Sequence, residues 1–122
     1  MNQYQKEIEK FCEERDWGQF FDPKDLLLGI VEEVGELRNI VKWLKTREES
    51  NKALINNKDE VKDAIGDISW FLSLLANSAG IDIDEAVKWT IEDNKKRFPI
   101  EKVKGKHTNT HFGGHDGKYK NN

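Results

Sequence analysis

Two groups of carboxylates stand at helical spacing within stretches of the chain that are otherwise apolar. The first group is Glu32, Glu33 and Glu36, within the letters "EEVGE". Residues three or four positions apart share one side of a helix, with Cβ atoms about 5–6 Å apart, and like charges so placed repel each other. Val34 and Leu37 bracket these acids, which puts Glu33 at the edge of a buried stripe. Some counter-charge must offset the repulsion there.

A second acidic stripe follows later in the chain, where Glu60, Asp63 and Asp67 stand at i, i+3 and i+7. Asp67 is followed at once by the apolar letters "ISWFLSLLA", and an unpaired carboxylate among apolar groups is costly. No lysine or arginine stands at helical spacing on the same face, so a hard divalent cation is the natural partner. Ligands that are all oxygen favour Mg²⁺ or Mn²⁺. Either group alone has a simpler interpretation, as a solvated face or, for Glu60, as a helix cap; the two together predict a metal site.

Helices must bring these two groups together, and the apolar spacing predicts an all-α fold of four helices. The predicted helices are residues 2–15, residues 23 to about 46, residues 57–79 and residues 82 or 84 to 97. Apolar seams run along the second helix (Leu27, Ile30, Val34, Leu37, Val41, Leu44) and the third (Val61, Ile65, Ile68, Leu72, Leu75, Ala79). Two antiparallel helices about 8–10 Å apart can point their carboxylates at one place.

The ends of the predicted helices carry local signals. Asp22 is a good N-cap with Pro23 behind it, and Asn57 with Glu60 has the spacing of a capping box. Gly80 is expected to end the third helix. The polar letters "REESNKALINN" between the second and third helices predict a connecting loop.

Composition limits the class of protein. Hydrophobic residues make up 36% and charged residues 35% of 122 residues, with a net charge of −3, so bulk charge favours no nucleic-acid polymer as partner. The single cysteine, Cys12, allows no intrachain disulfide, and no apolar run is long enough for a membrane span. We expect a cytoplasmic protein without a membrane partner. Residues 1–105 should form one domain and residues 106–122 a flexible polar tail, and so lean a core predicts a homo-oligomer.

Four segments in this order resemble one family. The letters "EEVGEL", "DAIGDISWFLSLLANSAGIDIDEAV" and "NKKRFPIEKVKG" are similar to the MazG-like all-α nucleoside triphosphate pyrophosphohydrolases. The segment "RDWGQFFDPKDLLLGIVEEVGEL" resembles the dCTP pyrophosphatase branch, and the resemblance covers roughly residues 9–105. It implies Mg²⁺-dependent hydrolysis of a nucleoside triphosphate to the monophosphate and pyrophosphate. It also implies a homodimer or homotetramer and a role in cleansing the nucleotide pool.

The resemblance implies a ligand set with one departure from the family signature, ExxE followed by ExxD. Glu33 and Glu36 match the first half, and Glu32 matches an additional acid. Asp67 matches the last aspartate, but Ala64 stands where the family has glutamate. Either Asp63 joins Asp67, which we favour, or Glu60 and Asp63 form an ExxD one turn earlier. The predicted metal ligands are Glu33, Glu36, Asp63 and Asp67, with Glu33, Glu36 or Glu32 as the catalytic base.

The resemblance also implies substrate contacts. Trp17 and Trp43 would line the nucleobase pocket, and Phe21 stands where that branch often has histidine, so dCTP specificity does not carry over. Further predicted substrate contacts are Phe71, Asn94, Arg97 and Lys102. Each has a simpler alternative: aromatic residues are often core, and basic residues at a helix end complement its dipole. His107, His111 and His115 step by four, but the glycines between them argue against a zinc-binding helix.

Two other functions compete with this hypothesis. One is a relative that hydrolyses dUTP or phosphoribosyl-ATP with the same acids. The other is a non-catalytic helical oligomer whose acids hold a structural cation, which Ala64 favours.

Overall fold

The structure is a computed structural model that describes residues 1–106. The helices are α1 (Gln3–Glu14), α2 (Pro23–Asn39), α3 (Arg47–Asn56), α4 (Lys58–Ala79), α5 (Ile83–Arg97) and α6 (Ile100–Val103), with a 3₁₀ turn over Gly18–Phe20. No strand occurs among the described residues, so the predicted all-α class is confirmed, although with six helices rather than four. No single helix in that range is long and apolar enough to cross a membrane, though α4 and α5 taken together reach the required length and composition.

The chain divides into two compact units, Met1–Ile83 and Asp84–Asn122. The first contains α1 to α4, and the second contains α6 and all of α5 except its first residue. One domain over residues 1–105 therefore stays a prediction.

Helix α2 begins as predicted and ends earlier. The Asp22 side chain accepts a hydrogen bond from the backbone N–H of Lys24 at 2.7 Å, with Pro23 in the first turn. The regular helix stops at Asn39 instead of continuing to about residue 46. Beyond it the bonds tighten to three-residue turns, as in the 3.0 Å bond from Leu44 N–H to the Val41 carbonyl. The helical spacing of apolar residues therefore continues past Asn39, whereas the α-helical backbone does not.

The predicted loop over "REESNKALINN" is wrong, because these residues form α3. Thr46 caps the helix, its Oγ1 accepting from the Glu49 N–H at 3.1 Å. The Glu49 carboxylate in turn accepts from the Lys45 N–H at 3.0 Å. Such a cap typically contributes about 1 kcal/mol. The sequence of α3 shows little apolar periodicity, so the spacing of its apolar residues did not predict a helix.

The predicted capping box at the start of α4 is also wrong. The Asn57 side chain makes no cap hydrogen bond to α4; its Nδ2 donates to the Ala53 carbonyl at 2.8 Å. Asn57 therefore closes α3, and Glu60 is not part of a cap. At the other end, Gly80 adopts a left-handed φ of 69° and ends α4 as predicted.

Helices α2 and α4 pack antiparallel, as predicted. Leu26 packs with Leu74 at one end, and Gly29 faces Phe71 one turn further along α2 and one turn back along α4. Leu26 is only 1% exposed and, with Cys12 and Leu74, forms the centre of the core.

The predicted seam of α2 is rotated relative to the buried face. Leu27 and Val34 of that seam are about half exposed, whereas Leu26 is buried. The letters "LLLGIV" are apolar on more than one side, so spacing alone could not select the face.

Gln5 ties α1 to the turn between α4 and α5. Its side chain is fully buried. Its Oε1 accepts from the N–H groups of Asn2 and Ile83 at 3.1 and 2.8 Å, and its Nε2 donates to Asn77 Oδ1 and the Ile81 carbonyl, both at 2.8 Å. Every polar atom of the buried amide is thus paired, as buried polar groups require.

We expect alanine to stabilise the protein less at Gly29 than at Gly35. Helical Gly→Ala gains up to about 1 kcal/mol. A Cβ at Gly29 would lie 3.1 Å from the Phe71 ring, whereas a Cβ at Gly35 meets nothing within 4 Å. Thermal unfolding of Gly29→Ala and Gly35→Ala compares the two, and an equal gain at both positions would contradict the close packing of Phe71.

Candidate metal centre and active site

Acidic side chains from α2 and α4 line one small cavity between these helices. Its volume is about 50 Å³. The lining residues are Glu33, Glu36 and Leu37 from α2, Ile40 directly after it, and Glu60, Asp63 and Ala64 from α4. No basic side chain of residues 1–106 lines it. The antiparallel packing explains this meeting, because it brings the second half of α2 beside the first half of α4.

The carboxylates act on one another electrostatically. Partial burial raises the pKa of Glu33, and the charges of Glu36, Asp67, Asp63 and Glu32 raise it further, in that order. None of these acids forms an ion pair with a lysine or arginine of residues 1–106. The group therefore carries uncompensated negative charge, which a divalent cation would relieve.

Asp67 is more exposed to solvent than its apolar neighbours in the sequence suggested. It is exposed and does not line the cavity, although its charge acts on Glu33 more strongly than that of Asp63. Successive residues of a helix point about 100° apart. The apolar residues after Asp67 therefore lie on other sides of α4 than Asp67 does. Apolar neighbours in the sequence do not show that a carboxylate is buried.

The chemistry of the cavity fits a hard divalent ion. The polar side chains of residues 1–106 that line it are all carboxylates, and its volume of about 50 Å³ exceeds the roughly 10–15 Å³ that one water needs by the same measure. Among residues 1–106, no three His, Cys, Asp or Glu side chains are gathered tightly enough to hold an ion as they stand. Ligation therefore requires the flexible carboxylates to turn inward, which ion binding would favour over their mutual repulsion.

Two of the predicted nucleobase residues lie together in the first unit. The rings of Trp17 and Phe21 meet edge to face at 6.4 Å, and Trp17 also contacts Phe11 at 5.5 Å. Phe21 lines a larger cavity of about 440 Å³ with Leu26 and Leu74. The segment before α2 thus presents aromatic surface beside a cavity of mixed apolar and polar lining.

The other two predicted aromatic contacts lie apart from that group. Trp43 is 82% exposed, and Lys42 Nζ lies 5.3 Å from its ring centre. Phe71 packs on the backbone of α2 at Gly29 and belongs partly to the core. Its position agrees with the simpler interpretation, that of a core aromatic residue.

The family of the chain follows from its match to known proteins. Residues 33–111 match the MazG-like family. The chain belongs to the MazG-like family. The MazG-like match begins at Glu33, the first acid of the ExxE signature.

Curated relatives of this MazG-like chain include dCTP pyrophosphatase 1 from two mammals. The Bos taurus protein is 33% identical over 97 residues, which are 79% of this chain and 57% of that protein. The Homo sapiens protein is 32% identical over 91 residues, 74% of this chain and 54% of that protein. The chain spans about half the length of the curated relatives it matches.

A solved structure supports the MazG-like architecture. A pyrophosphatase from Archaeoglobus fulgidus superposes with a TM-score of 0.70 and is 34% identical. The match covers 75% of this chain and 85% of that chain. The helical arrangement described above is therefore shared with that pyrophosphatase.

The predicted phosphate contacts of the MazG-like chain lie in the second unit. Arg97 is paired with Asp93 at 3.5 Å, and its guanidinium lies 5.0 Å from the centre of the Phe98 ring. Asn94 and Lys102 are exposed. A phosphate role for Arg97 must compete with Asp93, so these contacts stay predictions. His107, His111 and His115 lie outside the described residues.

One group of acids beside a cavity was not predicted from the sequence of this MazG-like chain. Glu9, Glu13 and Asp16 line the 440 Å³ cavity that also contains Phe21. Their i, i+4 and i+7 spacing was the available signal. Cys12 lines the same cavity, and burial raises the pKa of its thiol.

Proposed function

We propose that this chain is a Mg²⁺-dependent nucleoside triphosphate pyrophosphohydrolase. It converts a nucleoside or deoxynucleoside triphosphate and water to the monophosphate and pyrophosphate. The observation that carries the proposal is a cavity in a member of the MazG-like family that carboxylates from α2 and α4 line and no basic side chain of residues 1–106 lines. The names of the dCTP pyrophosphatase relatives and of the Archaeoglobus pyrophosphatase support the reaction class.

The acids have two roles in the proposed reaction, metal binding and acceptance of a proton. Glu33, Glu36, Asp63 and Asp67 would hold a divalent ion, which when bound would supply positive charge for the phosphate oxygens. Glu33, Glu36 or Glu32 accepts the proton of the attacking water. The water oxygen forms a bond to the α-phosphorus as the bond from that phosphorus to the bridging oxygen breaks. Pyrophosphate leaves with the electron pair of that bond.

The substrate side of the site is aromatic. Trp17 and Phe21 present a stacking surface before α2, consistent with binding a nucleobase. Trp43 is exposed and available to a base, while Asn94, Arg97 and Lys102 are assigned to the sugar and phosphates. Removal of unwanted nucleotides from the cytoplasmic pool is the role that this reaction serves.

Self-association completes the proposal. Large apolar side chains are exposed along α2 (Leu27, Leu28, Val31, Val34) and α4 (Ile65, Leu72). Adjacent exposed apolar residues on long helices are typical of interfaces. A homodimer or homotetramer would cover them.

The test is hydrolysis of a nucleotide panel in ¹⁸O-labelled water. The protein is incubated with Mg²⁺ and each of dCTP, dUTP, dTTP, dATP and dGTP, and pyrophosphate and orthophosphate are measured separately. We expect pyrophosphate, with ¹⁸O in the monophosphate, because water attacks the α-phosphorus. Label in pyrophosphate would place the attack at the β-phosphorus and refute the mechanism. No turnover of any nucleotide, with Mg²⁺ still bound, would favour the non-catalytic oligomer instead. Strong preference for dUTP would make the chain the dUTP-hydrolysing relative.

A further inference from the structure

Helix α1 ends in a turn with an uncommon residue at its centre. The N–H of Trp17 donates to the Cys12 carbonyl at 2.9 Å. The N–H of Asp16 donates to the Glu13 carbonyl at 3.1 Å. These are the two bonds of a Schellman motif, which places its central residue in the left-handed backbone region. That residue is Asp16, with a φ of 52°, where glycine is the common choice because other residues adopt this conformation at a cost in energy.

The side chain of Asp16 makes a bond that glycine could not provide. The Gln19 Nε2 group donates to the Asp16 carboxylate at 3.1 Å, and it also donates to the Asp16 carbonyl at 3.0 Å. Gln19 lies in the 3₁₀ turn over Gly18–Phe20, so the two bonds tie that turn to the end of α1. Trp17 follows Asp16 directly, and its backbone therefore lies within the segment that these bonds close.

The turn brings the Trp17 ring into a group of aromatic side chains. Trp17 meets the Phe11 ring edge to face at 5.5 Å and the Phe21 ring at 6.4 Å. Phe11 is itself held in place, because the Arg15 guanidinium lies 3.6 Å from its ring centre and Trp70 meets it edge to face at 5.3 Å. Trp17 nevertheless remains 40% exposed. Its exposed surface is thus presented in one orientation.

We propose that Asp16 is a positioning residue, which holds Trp17 in the orientation that receives the nucleobase of the substrate. The inference rests on the proposed function, in which Trp17 contacts that base. Asp16 is not among the acids that line the cavity between α2 and α4, so its role differs from that of the metal ligands. It acts by preorganisation, because a side chain that is fixed before binding loses less entropy when the ligand arrives.

A competing explanation is that Asp16 contributes only its negative charge. It lines the cavity of about 440 Å³ together with Glu13 and Phe21, where a carboxylate could act on a bound base directly. Glu13 is exposed, and Glu13→Gln removes one charge from the same cavity without changing the left-handed residue, so it is the matched control. Asp16→Asn also removes the charge, but asparagine tolerates the left-handed conformation and accepts a hydrogen bond from Gln19.

The first test is steady-state kinetics with the nucleotide that the substrate panel identifies. We expect Asp16→Gly to raise KM about fivefold or more and to leave kcat nearly unchanged, because the freed turn must be ordered again on binding. Its Tm should stay close to the wild-type value, since glycine suits the left-handed position. A residue with a merely structural role would not change KM in a protein of unchanged Tm. Asp16→Asn and Glu13→Gln should keep the wild-type KM.

The second test follows Trp17 in the absence of nucleotide. Fluorine NMR of the full chain labelled with fluorotryptophan gives a resonance for each of the four tryptophans, and the resonance missing from Trp17→Phe is that of Trp17. We expect this resonance to move toward its value in the unfolded protein in Asp16→Gly, and to keep its wild-type position in Asp16→Asn.

Three results would overturn the proposal. The first is a wild-type KM in Asp16→Gly, and the second is an equal rise of KM in Glu13→Gln or Asp16→Asn, which would assign the effect to charge. The third is a Trp17 resonance that does not move in Asp16→Gly. Failure of the proposed function is distinguishable, since the wild-type protein would then hydrolyse no nucleotide, whereas the fluorine spectrum would still report whether Asp16 positions Trp17.

Discussion

Glu36→Gln abolishes pyrophosphate release while leaving the protein folded. An ion in an active site contributes several kcal/mol of transition-state stabilisation, and each 1.36 kcal/mol is tenfold in rate. Loss of one carboxylate ligand should therefore lower kcat/KM by about 10³-fold. Release of pyrophosphate from dNTPs, followed with a coupled assay at saturating Mg²⁺, measures the loss.

The same substitution should slightly stabilise the metal-free protein. Of the neighbouring charges, that of Glu36 does most to raise the pKa of Glu33. Removing one of two like charges at this spacing returns a few tenths of a kcal/mol, or about 1–3 °C in Tm for a chain of this size. We expect Mg²⁺ to raise the Tm of the wild-type protein and to raise that of Glu36→Gln much less.

Glu48→Gln is the control for Glu36→Gln. Glu48 is an exposed acid in the first turn of α3 and does not line the acidic cavity. Its loss should change neither turnover nor the effect of Mg²⁺ on Tm. Full activity in Glu36→Gln would mean that the reaction takes place elsewhere on the protein.

Gln5→Leu removes about 2–4 kcal/mol from the free energy of unfolding. The substitution keeps the approximate shape of the side chain but loses all of the amide hydrogen bonds. It leaves Asn77 Oδ1, the Ile81 carbonyl and the Ile83 N–H without their partner. Each buried polar group left unpaired costs about 1–3 kcal/mol, and relaxation toward water recovers part of the sum. Chemical denaturation followed by circular dichroism measures the change.

Gln3→Leu is the matched comparison on the same helix. Gln3 is exposed, and its Nε2 donates to the Glu7 carboxylate at 3.1 Å on the surface. Because surface substitutions usually change stability by no more than about 0.5 kcal/mol, this variant should resemble the wild type. Equal effects of Gln3→Leu and Gln5→Leu would show that the buried amide does not hold α1 in place.

Much of the architecture was predictable because apolar periodicity and capping residues indicate helices in a sequence. The spacing along α2 and α4, the Asp22 cap and the Gly80 stop were sufficient for the all-α class and for the antiparallel pair. Helix α3 could not be predicted in this way, since it has a cap at Thr46 but no clear apolar face. Nor could "LLLGIV" reveal which of its apolar sides is buried, because that depends on what α4 and α1 place against it.

The meeting of the acids of α2 and α4 at one cavity was predictable, and their exposure was less so. Glu33, Glu36 and Asp63 were expected to meet across two helices, and they line one cavity. Asp67 stands next to an apolar stretch of the sequence, yet successive residues of a helix lie on different sides, and Asp67 is exposed. The position of Trp43 depends on where α2 ends, which the continuing apolar pattern concealed.

The amide of Gln5 has a consequence for how the chain is made. Its partners stand 72 to 78 positions further along the chain. At ribosomal rates of about 5–20 residues per second, α1 waits roughly 4–16 seconds before these groups exist. During that interval α1 can reach only its nearer neighbours, such as Trp17 and Leu26, and the face that packs on α4 has no native neighbour. The first helix to be synthesised is therefore among the last to complete its contacts.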